Sequence, residues 1–144
     1  MKIAHGFAFA ALAALIGAPT ASAQNSAVGL WKSIEPNKTV LIRTYEEGGK
    51  LKGKVEKLVK NGVEDVNGKC VKCTGDLKDK PLTGLVIIWD MQKDGEKWTG
   101  GKILEPDSGK IYNCKLETAE GGKKLNVRGS IAFLGKTQTW VRTE

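Results

Sequence analysis

The chain has 144 residues, 40% hydrophobic and 27% charged, with 23 Lys and Arg against 16 Asp and Glu, a formal net charge of +7, three Cys and one His. That is one domain's worth of chain, able to build one compact core. The one histidine is His5, in an N-terminal stretch read below as removed. The rest therefore offers no Ser-His-Asp or Cys-His nucleophile pair and no His-bearing zinc site, which argues against hydrolase chemistry.

Residues 1–23 read as a secretory signal: Lys2 in the positive n-region, an apolar run over 7–16, and Ala21-Ser22-Ala23 as a small-residue cleavage site before Gln24. The run is too short and wrongly flanked for a membrane span, and no other stretch approaches the length needed to cross a bilayer. The expected organisation is a signal peptide over 1–23 and one β domain over 24–144, in the bacterial periplasm or secreted. Taking Lys2 away from the 23 basic residues leaves 22 against 16 acidic ones, a formal +6.

From residue 28 onward, short β-patterned runs alternate with Gly-bearing turns, and no helical period of ten residues is evident. Eight strands are predicted, over 28–34, 39–46, 51–59, 82–91, 97–104, 110–118, 123–131 and 136–142. In the third, Leu51, Gly53, Val55, Lys57 and Val59 share a face. A long loop over 60–81 interrupts the series. The fourth strand is apolar on both faces, with Leu85, Ile87 and Trp89 against Val86 and Ile88, as in a strand buried from two sides. Asp94-Gly95 is a hairpin signal, and Gly100-Gly101 marks a bulge or bend in the fifth strand. In the sixth, Tyr112, Cys114 and Leu116 face one way and Lys115 and Glu117 the other. Eight antiparallel strands joined mostly by tight turns close into an up-and-down barrel or split into a sandwich. The barrel is favoured, because closure removes exposed edges and the Gly pairs supply the bends.

Gly29-x-Trp31 on the first strand, with a cation from the last strand available to lie over the indole, resembles the barrel-bottom plug of the calycin group of lipocalins, fatty-acid-binding proteins and avidins. That resemblance implies Trp31 as plug and Arg142 as its covering cation, with Arg128 as the alternative. A wider resemblance spans residues 29–142. Gly29-Leu30-Trp31-Lys32, Cys70-Val71-Lys72-Cys73, residues 80–85, 98–103 and 106–114, Val127-Arg128-Gly129 and residues 135–142 look like the bacterial exported family known as domain of unknown function 2147. That family brings no assigned activity and no catalytic residues. The connection Ser130 to Leu134 departs from it, being shorter and carrying Ser130 and Ala132 where the family often has an aromatic and a Gly.

Three constellations carry candidate chemistry. Cys70-x-x-Cys73 lacks the helix and βαβ context of a redox pair and the spacing of a zinc site, so in an exported chain it reads as a structural disulfide, with Cys114 the alternative partner of either. The basic excess in residues 50–54, 78–80 and 123–124 suits a half-solvated sheet face, or an anionic envelope surface as partner. It lacks the aromatic interleaving of a nucleic-acid binder. The rings of Trp89, Trp98 and Tyr112, with Arg128 and Gln138 as polar contacts, form the candidate ligand site in the barrel mouth, at the end opposite Trp31. The expectation is an all-β, eight-stranded, calycin-like barrel that binds a small apolar or amphipathic, lipid-like ligand. It is expected to be monomeric, non-catalytic, without cofactor or metal, and not membrane-spanning. The competing expectation is an envelope-interaction protein whose barrel is packed solid.

Overall fold

The computed structural model describes residues 25–144; the expected signal segment, 1–23, lies outside the described residues. Among the described residues the chain forms β1 (Gly29–Glu35), β2 (Lys38–Glu47), β3 (Lys50–Lys60), β4 (Val63–Glu64), β5 (Val86–Asp94), β6 (Lys97–Glu105), β7 (Lys110–Ala119), β8 (Lys124–Ile131) and β9 (Leu134–Arg142), with two three-residue 3-10 turns. Each long strand pairs antiparallel with the next, and β1 pairs with β9, so eight strands close into an up-and-down barrel. The two-residue β4, which the loop expected over 60–81 did not anticipate, only extends the edge of β3.

Closure requires strong local bends, and register shifts supply them. Opposite Leu41 and Ile42, β3 carries Glu56 as an additional residue, because Leu41 pairs with Lys57 and Ile42 with Val55. The inward face of β3 therefore runs Leu51, Gly53, Val55 and then Leu58, not Lys57 and Val59 as strict alternation predicts; Leu51, Val55 and Leu58 are buried. Two more shifts fall between β3 and β5, where Leu51 meets Met91, Gly53 meets Ile88 and Lys54 meets Val86. These shifts leave Ile87 and Ile88 both buried, and Asp90 takes a left-handed φ of 58° so that Met91 turns inward. In β6 the expected kink is present: Gly100 has a φ of 75°, and the β6–β7 register slips between Trp98 and Gly101.

The loop between β4 and β5 is tied to itself. Cys70 and Cys73 form a disulfide, the Cys70 amide donates to the Lys80 carbonyl at 2.8 Å, and the Cys70 carbonyl accepts from Asp79 at 2.9 Å. Cys70, Cys73, Leu82 and Leu85 are buried against the barrel. Cys114 stays a free, buried thiol inside the barrel wall, and burial pushes its pKa up to about 12.

Candidate functional site

The two ends of the barrel differ. At one end Trp31, fully buried, donates its indole N–H toward the Ala27 carbonyl and the Thr44 hydroxyl, each at 3.0 Å. The Arg142 guanidinium lies over the ring, 4.2 Å from its centroid, within the range of a cation–π contact. Its nitrogens donate to the carbonyls of Gly122 at 2.7 Å, Val28 at 3.0 Å and Ser26. One side chain thus ties the segment before β1, the β7–β8 connection and the end of β9 together over the indole. Burial draws its pKa down from the ordinary guanidinium value. Above Trp31, the side chains of Leu51, Met91, Trp98, Leu116 and Leu125 fill the barrel.

At the other end the filling stops. A cavity of about 690 Å³ opens between the end of β1, the start of β2, the ends of β3, β6 and β8 and the starts of β7 and β9, a volume in the range of small-molecule sites. Its wall is mostly apolar, with Val40, Ile42, Val55, Leu58, Ile87, Ile103, Val127 and Trp140 contributing. Inside it, Ser33, Tyr112 and Gln138 bring polar groups, and Gln138 accepts from the Trp140 indole N–H at 3.2 Å. Gly129 leaves room: a methyl group there meets Tyr112 and Ile103 at ordinary contact distance. Around the rim stand Glu35, Lys38, Lys60, Glu105, Asp107, Lys110 and Lys136. Lys38 bridges Glu35 and Asp107. Burial opposes its charge, but Asp107 and then Glu35 outweigh that and raise its pKa. Lys60 pairs with Asp65 at 3.3 Å, whereas Lys110 and Lys136 have no ion-pair partner among the described residues.

Of the five side chains expected to surround a ligand, Tyr112 and Gln138 line the cavity and the other three do not. Trp89 pairs with Lys102 on the outer face, because the shifts in β5 turn Ile88 and Met91 inward in its place. Trp98 does face inward but sits on the filled side, under Lys93, 5.4 Å from its ring. Arg128 is exposed on the outside of β8, beside Thr137, so it neither lines the cavity nor covers Trp31. The rim lysines and Trp140 were not singled out as ligand contacts. For Lys136 and Trp140 the signal is period two, because Leu134, Lys136, Gln138 and Trp140 alternate along β9. Among the described residues no three His, Cys, Asp or Glu side chains gather as metal ligands do.

A closed eight-stranded barrel, plugged at one end by a cation-covered Trp and hollow at the other, is a calycin-like architecture. The chain belongs to a family described as an uncharacterized protein conserved in bacteria (DUF2147), whose model matches residues 29–142. Among solved structures, one from Helicobacter pylori, described as belonging to the lipocalin family, is similar with a TM-score of 0.69 and 24% identity over 83% of this chain and 84% of that one. At that identity the likeness carries the fold. No curated protein matches the chain.

Proposed function

We propose that this protein is an exported, non-catalytic barrel of the bacterial periplasm or extracellular space that holds one small apolar or amphipathic, lipid-like ligand. The observation that carries the reading is the cavity of about 690 Å³, mostly apolar along its wall, with Ser33, Tyr112 and Gln138 polar inside it and charged side chains at its rim. Such a lining desolvates a hydrocarbon chain, at roughly 25 cal/mol per Å² of apolar surface removed from water, while Tyr112, Gln138 and Ser33 offer hydrogen bonds to orient a head or a mid-chain oxygen. A cavity of this size also weighs against the solid-barrel alternative. Export rests on the signal pattern of residues 1–23 and fits a disulfide in an oxidising compartment.

Native mass spectrometry with solvent extraction, on protein purified from its own envelope, is the direct test, and a stoichiometric adduct is the expected result. In parallel, an apolar fluorescent dye is expected to bind with micromolar affinity, with Trp140 as the nearest quenching indole, and a long-chain fatty acid is expected to displace it. No adduct, and no change in Trp emission or thermal midpoint at saturating dye and fatty acid, overturns the reading.

A further inference from the structure

The tip of the β8–β9 hairpin is Ile131-Ala132-Phe133-Leu134, a tight turn with Ile131 opposite Leu134 and Ala132 at a φ of 54°. Water-facing turns of this kind ordinarily carry Asn, Asp or Gly. Here the tip is wholly apolar and exposed: Phe133 is 93% accessible, Leu134 71% and Ile131 50%. Ile131 and Leu134 also line the cavity mouth, so the apolar tip adjoins the opening of the barrel. Single exposed apolar residues need no explanation, but a contiguous apolar tip marks a contact surface.

Charge identifies the partner. From Lys123 to Thr143 there is no Asp or Glu, while Lys123, Lys124, Arg128, Lys136 and Arg142 are all basic. Arg128 and Lys136 stand just behind the tip, and Lys110 of the neighbouring β7 joins them at the mouth. The acids of the mouth lie on the β1–β2 and β6–β7 side, where Glu35 and Asp107 are both engaged by Lys38 and Glu105 is opposite Lys110 in the register. We propose that this hairpin is a docking wedge for an anionic phospholipid bilayer: Phe133 and Leu134 enter the headgroup region, and Arg128, Lys136 and Lys110 meet the phosphates. Apolar insertion combined with basic side chains at the surface is the combination that gives interfacial binding. Docked in this way, the cavity mouth faces the bilayer. The inference stands on the hairpin alone and does not require that the cavity hold a ligand.

The test is partition of the purified chain, wild type and variants sharing one N-terminus, onto vesicles of phosphatidylglycerol mixed with phosphatidylcholine and onto phosphatidylcholine alone. Binding is expected on the anionic vesicles, weakening with salt. Phe133→Ser is expected to lower partition about tenfold, and Lys136→Glu about fivefold or more. Because both positions are exposed, circular dichroism and thermal midpoint are expected to stay at wild-type values. In Phe133→Trp, brominated lipid is expected to quench emission beyond the wild-type background. The proposal is overturned if the variants partition like wild type, or if brominated lipid leaves the Phe133→Trp signal unchanged. It is overturned too if Phe133→Ser instead abolishes a concentration-dependent dimer without affecting vesicle binding, which would mean that a second copy covers the tip.

Discussion

Trp31 and Arg142 do different work at the same place. The indole fills the closed end, and truncating a buried ring of this size leaves a cavity the strands cannot collapse around, so Trp31→Ala is expected to cost ~3–5 kcal/mol in urea unfolding. The guanidinium donates to three carbonyls, Ser26 and Val28 before β1 and Gly122 in the β7–β8 connection, and so joins two chain segments to its own strand. Only its planar fork reaches all of them, so Arg142→Lys is expected to recover little of what Arg142→Ala loses. Arg128→Ala, on the outer face, is expected to stay within about 0.5 kcal/mol of wild type. Cys114 supplies a pH dependence. Its pKa rises from 9.0 to about 12 on folding through burial, so the folded state holds the thiol proton more tightly than the unfolded one. This contribution is intact below pH 9.0 and is lost as pH climbs toward about 12, at up to about 1.4 kcal/mol per pH unit. Urea midpoints at pH 8 and pH 10 are expected to fall further apart for wild type than for Cys114→Ala. Equal falls in the two proteins would show that the thiol keeps an ordinary pKa in the fold.

Among the elements, the long loop is the one a covalent bond crosses, yet the bond spans only three residues. Closing so short a loop removes little chain entropy, and the loop is also held by backbone bonds at Cys70, Asp79 and Leu82. Reduction is therefore expected to shift the thermal midpoint by only a few degrees, whereas a bridge from the loop to Cys114 would have mattered more. The strands themselves were legible because period-two patterning and turn residues are local properties: all eight long strands fall where alternation and Gly-bearing turns put them, within four residues at either end. What was not legible is the register. The additional residues at Glu56, at Ile87 and around Asp90 arise from how neighbouring strands bend past each other, and a single strand carries no mark of them. Each one reverses the faces beyond it, which is why Trp89 went to the wall's outer side while Tyr112 and Gln138, on strands that carry no additional residue themselves, turned to the cavity. Gly100 is the exception, because a left-handed residue in a strand favours a glycine that can be seen in advance.

For the whole molecule, the decisive quantity is how far the interior is filled. Eight strands enclose a space that side chains can just occupy, and here large residues occupy only the half next to Trp31. Toward the mouth, Gly129 sits in the wall where neighbouring strands carry Tyr112 and Ile103, its missing side chain leaving space at 3.4 Å and 3.7 Å from theirs. Its backbone is ordinary extended strand, so a larger residue incurs no conformational strain there. Gly129→Leu is expected to extend into the cavity, bury its own apolar surface against Val127 and Tyr112, and leave the protein as stable as wild type or more stable, by up to ~1–2 kcal/mol. The same side chain takes space from the ligand, so dye affinity is expected to fall at least about tenfold. Opposite signs for stability and binding are the signature of a cavity kept open for an occupant at a cost in packing. Titration of the dye alongside urea unfolding of the same preparation reads both signs. If Gly129→Leu lowers stability and leaves dye affinity unchanged, the dye binds elsewhere and the hollow end of the barrel is not its site.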